Sequence, residues 1–232
     1  MNKTILIKLS GESLSGKYGH GFDFDYMKQI CSRIKEIHDL GINVGIVCGG
    51  GNFMRGRDAK EMDRERADYI GMLATIMNSL ALKDVFLKLG VLVYNQSGLD
   101  ISIIDSIDTD KIKEAFQNKQ IVIFGGGTGK PFYSTDTGAA LRAKDCKADM
   151  IVKLTNVDGV YDKDPNKYND AIMYDEVTFE EVLEKELGVM DLQAMEICRD
   201  NNIEIVVTNI DNKDALKDII NGKKVGTRVY NK

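Results

Sequence analysis

Apolar residues along this chain alternate between two rhythms. Short runs rich in valine and isoleucine occupy residues 4–9, 43–48, 91–94, 101–104, 121–124, 148–154, 203–209 and 226–230. Runs of this length bounded by glycine and polar residues predict buried strands. Between them, apolar positions spaced by three and four predict helices over residues 25–40, 63–88, 110–117, from near Asp136 onward, 178–186, 189–201 and 214–220. Met27, Ile30, Cys31, Ile34 and Ile37 form the inner face of the first, and Gly41 is its left-handed cap candidate. Ile70, Leu73, Ile76, Met77, Leu80 and Phe86 read as the core face of the longest. Thr178 and Glu181 have the spacing of a capping box, Asp191 falls in a first helical turn, and Gly222 ends the last helix. Strand–helix alternation throughout predicts an α/β fold, a three-layer αβα sandwich around a largely parallel sheet. With no Pro/Ser-rich linker, residues 1–232 read as one continuous domain with two lobes.

The chain converges on residues 121–143, IVIFGGGTGKPFYSTDTGAALRA. A buried strand runs into Gly125, Gly126 and Gly127, then through Thr128, Gly129, Lys130 and Pro131. After Phe132 and Tyr133, the hydroxyl-rich run Ser134, Thr135, Asp136, Thr137 opens a helix. Strand, glycine turn and helix start together present backbone N–H groups to an anion. Read as plain structure, the run supplies a helix N-cap at Thr135 or Asp136. Two familiar nucleotide patterns are absent. GxxxxGK[ST] fails because Phe124 and Pro131 occupy required positions, and GxGxxG fails because Lys130 and Met54 stand where the last glycine belongs. The residues point to a phosphate or nucleotide site of another kind.

Composition narrows the class. A chain of 232 residues with 43% hydrophobic and 29% charged residues and only 2 prolines is compact, not disordered. A net charge of −5 without a basic block argues against nucleic acid as partner. Cys31, Cys48, Cys146 and Cys198 form no CxxC pair and there are 2 histidines, so no protein-built metal site is expected and the thiols read as reduced and buried. The N-terminal apolar run is too short for a signal peptide and no later stretch reads as bilayer-length, so no membrane association is expected and the location reads as cytoplasmic.

Several residues carry candidate chemistry. Lys8 sits near the carboxyl end of the first strand, where ligands of open α/β sheets bind, although an edge lysine facing water has the same position. The second strand also runs into three glycines, Gly49, Gly50 and Gly51, with Arg55 and Arg57 close behind to clamp a phosphate. Asp68 lies near the start of the long helix. His20 lies in a glycine-rich, mobile-looking loop, where a lone histidine is more often solvated than functional. Beyond Lys153, Thr155 and Asn156, the stretch TNVDGVYDKDPNKY carries aspartates and a tyrosine suited to a nucleoside pocket, or to ordinary turns.

In order, ILIKLSGE at 5–12, GGGNFMRG at 49–56, ADYIGMLAT at 67–75, GTGKPFYSTD at 127–136, TNVDGVYDKDP at 155–165 and LEKELGVMDLQA at 183–194 resemble the bacterial uridylate kinases of the amino acid kinase superfamily. The resemblance covers nearly the whole chain and implies transfer of the ATP γ-phosphoryl group to UMP, in pyrimidine nucleotide biosynthesis. By the same likeness Lys8, Leu9, Ser10, Gly11, Gly51 and Arg55 hold ATP phosphates, and Thr155, Tyr161, Asp164 and Asn156 its nucleoside end. Gly50, Asp68, Thr128, Gly129, Lys130, Pro131, Phe132, Tyr133, Ser134 and Thr135 hold UMP. Lys8, Arg55, Lys153 and Asp191 are the implied catalytic set, with Asp191 orienting Lys8, and Mg²⁺ is expected to ride on the ATP phosphates. Lys130 departs from the family, where asparagine is usual. The resemblance further implies a homohexamer, GTP activation through Gly16, Lys17, Tyr18, Gly19, His20 and Gly21, and a possible UTP inhibitor. Rival readings are a kinase for a carboxylate or carbamate acceptor and a non-catalytic UTP or GTP sensor.

Overall fold

The computed structural model describes residues 3–54 and 61–232. Its elements follow the chain as β1 (Thr4–Leu9), a 3₁₀ helix (Glu12–Tyr18), α1 (Phe24–Asp39), β2 (Asn43–Cys48), α2 (Arg64–Lys88), β3 (Val93–Ser97), β4 (Asp105–Ser106), α3 (Thr109–Gln117) and β5 (Ile121–Gly125). The second half contains α4 (Thr135–Asp145), β6 (Met150–Thr155), β7 (Glu176–Thr178), α5 (Phe179–Glu184), α6 (Leu192–Asp200), β8 (Glu204–Asn209), α7 (Ala215–Ile220) and β9 (Thr227–Tyr230). Among the described residues nine strands form one sheet in the order β4-β3-β5-β2-β1-β6-β8-β9-β7, and of its pairings only β8–β9 is antiparallel. The predicted sandwich with a largely parallel sheet is therefore observed.

Strand alternation divides the core between the two sheet faces. Ile5, Ile7 and Leu9 face a layer containing α1, α2 and α7, while Leu6 and Ile151 face α3, α4, α5 and α6. Lys8 follows Leu6 in the two-residue period and Lys153 follows Ile151, so both lysines point to the α4 side. Their Cα atoms are also direct partners across the β1–β6 ladder. The parallel register thus places two cations side by side near the carboxyl ends of adjacent strands.

The structure corrects several sequence expectations. Residues 101–104 make an antiparallel bridge within a turn, and the fourth strand is β4. The loop after β1, expected to be mobile, contains the 3₁₀ helix, and β7 was not anticipated. The N-cap of α4 is Ser134, whose hydroxyl accepts from the N–H groups of Asp136 and Thr137 at 3.0 and 3.1 Å. Asp191 is itself an N-cap, accepting from the N–H of Ala194 at 2.9 Å. The Thr178–Glu181 capping box is present. At 25 residues, α2 is long and apolar enough to cross a bilayer, contrary to expectation, but half of its most apolar stretch is buried in the fold.

The largest correction concerns which way α2 faces. Ile76 and Phe86 are buried, yet Ile70, Leu73, Met77 and Leu80 are exposed, Leu73 by 48%. Its inward face is small or polar where it meets the glycine turns, with Thr75, Asn78 and Ser79 buried. Close approach is the cause. A Cβ on Gly50 would stand 2.6 Å from the Gly71 carbonyl oxygen, and one on Gly125 3.0 Å from the Ile76 Cα. A helix apolar around most of its circumference carries no periodic signal for which side turns inward.

Gly125→Val is expected to push α2 off β5, costing about 1–3 kcal/mol and lowering the melting temperature by roughly 5 °C. An unchanged thermal melt would contradict this packing.

Candidate active site

A cavity of about 340 Å³ opens where β1, β2 and β5 end, between the first turns of α2 and the N-terminus of α4. Its lining includes Lys8, Ser10, Gly11, Gly50, Gly51, Asp68, Thr128, Lys130, Tyr133, Ser134, Thr135 and Asp136. Predicted residues as far apart in the chain as Lys8 and Thr135 therefore share one space. Leu9 contributes backbone, its carbonyl accepting from the Gly49 N–H at 3.0 Å. The β2 and β1 turns touch so closely that a Cβ on Gly11 would stand 2.4 Å from the Gly49 oxygen. On the other side, the Gly126 N–H donates to the Thr75 hydroxyl at 2.8 Å, which ties the β5 turn to α2.

Asp136 is the charge centre of this cavity and was not singled out from the sequence. Lys8 Nζ lies 2.9 Å from its Oδ1, an ion pair whose angles miss hydrogen-bond alignment. Lys153 Nζ donates to Oδ2 at 3.2 Å and also to the Val189 carbonyl oxygen. Burial pushes the Asp136 carboxyl up, but the charges of Lys8 and Lys153 outweigh it and hold the group below the usual carboxylate range. Burial pulls the Lys153 ammonium below its ordinary range, against the opposing pull of Asp136. The expected orientation of Lys8 by Asp191 is replaced by this arrangement. Asp191 instead accepts from the hydroxyls of Ser134 and Thr137, bracing the start of α4 against α6. One signal for Asp136 was legible: an acid in the first turn after a glycine loop, in a chain with lysines near two strand ends.

On the α2 side of the cavity, Asp68 accepts from Arg64 Nε at 2.9 Å and from the Phe132 N–H at 2.8 Å. The latter bond spans from α2 to a loop residue at φ +69°, a backbone conformation uncommon for a bulky side chain. Gly129, at φ +77°, packs on Gly98, where any Cβ would strike the carbonyl oxygen. Pro131 is half-buried beside the exposed Phe132. Arg64 lines the cavity and was missed.

The remaining predicted residues lie away from this cavity or outside the described residues. Arg55 and Arg57 belong to the latter group. Thr155 ends β6, Tyr161 bridges to Met173, and Asp164 organises its own turn with Asn166 and Lys167. Asn156 follows Thr155 in the same connection. Gly16 lies in the 3₁₀ helix at φ +47° and would carry a Cβ into Asp23, whereas Lys17, Tyr18, Gly19 and His20 are exposed and Gly21 is half-buried.

Among the described residues no three metal-ligating side chains cluster. Both oxygens of Asp136 are engaged by lysine ammonium groups, so a magnesium ion here would keep its waters and be held by phosphate oxygens.

Asp136 stabilises the fold while ionised. Because its carboxyl is held low, that stabilisation exists above the ordinary carboxylate range and is lost as pH falls through the depressed value. Asp136→Asn is expected to cost about 2 kcal/mol at pH 7, with the gap in melting temperature closing below about pH 4. A gap independent of pH would remove the ionised group from this role.

Comparison with known proteins agrees with the geometry. The chain resembles a solved UMP kinase from Bacillus anthracis, with 36% identity, TM-score 0.94, and coverage of 98% of this chain and 96% of that one. It also resembles a UMP kinase from Ureaplasma parvum, at 38% identity and TM-score 0.93, covering 99% of each chain. A uridylate kinase from Archaeoglobus fulgidus matches at 26% identity and TM-score 0.75, covering 97% of this chain and 99% of that one. Residues 3–209 match the model of the amino acid kinase family, and the chain belongs to that family.

Proposed function

We propose that this chain transfers the γ-phosphoryl group of ATP to UMP, giving UDP and ADP, in pyrimidine nucleotide synthesis. The carrying observation is one cavity that joins Lys8, two glycine turns and the Asp68–Phe132 acceptor wall. The 36% and 38% identities to UMP kinases along the full chain support the choice of acceptor. An oxygen of the UMP phosphate attacks the γ-phosphorus, the bond to the bridging β–γ oxygen breaks, and ADP leaves with that oxygen. No proton has to be removed from a UMP phosphate oxygen that is already ionised. The protein's task is positioning and charge neutralisation.

In this reading Lys8, held by Asp136, donates to the oxygens of the transferring group, with Lys153 behind it and Arg55 adding charge. The N–H groups of the β1 and β2 turns (Ser10, Gly11 and Gly51) and the N-terminus of α4 face the phosphate chains. Gly50, Asp68 and the loop from Thr128 to Thr135 take UMP, with Lys130 adding a cation where relatives carry asparagine. Thr155, Tyr161 and Asp164 take the nucleoside end of ATP, which divides the single domain into acceptor and donor lobes. Asp191 acts through Ser134 and Thr137 on the start of α4. Mg²⁺ carried in on the ATP phosphates would draw charge from the phosphate oxygens during transfer.

The assembly in this reading is a cytoplasmic homohexamer built on dimers. Ile70, Leu73, Met77 and Leu80 form an exposed stripe with three- and four-residue spacing on α2, suited to a second copy of the same helix. The segment from Gly16 to Gly21, exposed as far as His20, is the proposed place of GTP activation, with UTP as the inhibitor.

Lys8→Ala is expected to lower turnover about a hundredfold or more, read by coupled ADP release with UMP, CMP, N-acetylglutamate or carbamate as acceptor. Turnover on a carboxylate or carbamate alone, or no turnover with any acceptor, would replace this reading with one of the rivals. Introducing glutamate at both Leu73 and Met77 is expected to shift the sedimenting species from an oligomer toward a monomer. An unchanged sedimentation profile would dismiss the α2 seam.

A further inference from the structure

The turn after β2 is held by a pair of buried amides with no role in the mechanism described above. Asn78, in the middle of α2, is 0% exposed, and Asn52, which ends the glycine turn, is 1% exposed. Each side chain donates to the other, Asn52 Nδ2 to Asn78 Oδ1 at 2.9 Å and Asn78 Nδ2 to Asn52 Oδ1 at 2.8 Å. Their second donors are also used. Asn78 Nδ2 donates to the Gly49 carbonyl oxygen at 2.7 Å, and Asn52 Nδ2 to the Gly21 carbonyl oxygen at 2.9 Å. The Gly21 N–H returns a bond to the Asn52 carbonyl oxygen at 3.0 Å. A buried amide is retained at this cost in desolvation only when its capacity is met, and here both are satisfied.

These bonds determine what the cavity wall can do. Glycine turns are intrinsically loose, since glycine gives up more backbone freedom on ordering than any other residue. Gly49, Gly50 and Gly51 have no side chains with which to anchor themselves. The Asn78 bond to Gly49 fixes the start of the turn, and the reciprocal amide pair fixes its end. The same pair joins the turn to Gly21, the last residue of the exposed segment after the 3₁₀ helix. Beyond Asn78, α2 runs back to Asp68 at the acceptor end.

We infer that Asn52 and Asn78 are positioning residues: a buried amide clasp that sets the β2 glycine turn for catalysis and yokes the 12–21 segment to it. Its kinetic consequence rests on the phosphoryl-transfer reading, but its structural consequence does not. Movement of the 12–21 segment reaches the phosphate-facing turn through Gly21, Asn52 and Asn78 without a contact between an effector and either substrate. A clasp that orients reacting groups acts on turnover more than on ground-state binding.

The test uses the full chain with Asn78→Ser, Asn52→Ala and the double variant. Both single changes remove the amide without enlarging the side chain, and hydrogen exchange separates local loosening of the turn from a global loss of stability. Each single variant is expected to lower kcat about tenfold or more with smaller changes in KM for ATP and UMP, and the double variant to be no worse than the single ones because the residues act as a unit. Wild-type kcat in either single variant, or additive losses in the double, overturns the inference. Amide hydrogen exchange gives a readout independent of the reaction. In Asn78→Ser the Gly21, Phe53 and Met54 N–H groups are expected to exchange about tenfold faster, while that of Cys146 at the end of α4 is unchanged. Unchanged rates at the turn, or an equal rise everywhere, would show only a general stability effect and defeat the proposal. If the wild-type chain fails to phosphorylate UMP, the functional reading fails and the exchange data still decide the clasp.

Discussion

A carboxylate held between two ammonium groups is the interaction on which the site depends. Lys8 and Lys153 would repel each other as Cα partners on neighbouring strands facing the same way. Asp136 at the start of α4 neutralises that repulsion and fixes both amines. Parallel register supplies the pair, the two-residue strand period gives both the same face, and α4 delivers the anion with its own N-terminus toward the cavity. The triad leaves a net positive charge beside the glycine turns that line the cavity. A phosphate chain needs these features, and a plain surface would not hold them together.

Close approach of backbone is the second constraint. The turns after β1, β2 and β5 meet one another and α2 at distances that exclude Cβ atoms at Gly11, Gly50 and Gly125. Small and polar residues on α2 face these turns, with Thr75 and Asn78 bonding them directly. The price is that larger apolar residues of the same helix are left outside. Tightly packed glycine turns and an exposed apolar stripe on α2 are therefore two consequences of one packing choice.

Capping links α4 to α6. Ser134 caps α4 and also donates to Asp191, which caps α6. Thr137 donates to the same carboxylate. The start of α4, where Asp136 must be held, is thus braced from the α6 side by hydroxyls that the sequence displays only as a run of small polar residues.

Local pattern determined much of this protein. The first two strands begin and end where the valine and isoleucine runs do, and both glycine turns follow their strands as expected. The order of motifs was enough for the family, because short-range chemistry, such as glycine after a buried strand or threonine three residues before glutamate, is written in neighbouring residues. Only the tertiary structure decided what depends on distance in space. It chose Asp136 over Asp191 as the partner of Lys8, since strands 145 residues apart in sequence pair only once the sheet forms. It turned Leu73 and Met77 outward, since a helix apolar around most of its circumference does not say which side meets the sheet. It also joined Asn52 to Asn78, since two asparagines far apart in sequence reveal nothing of a shared bond until the glycine turn brings them into contact.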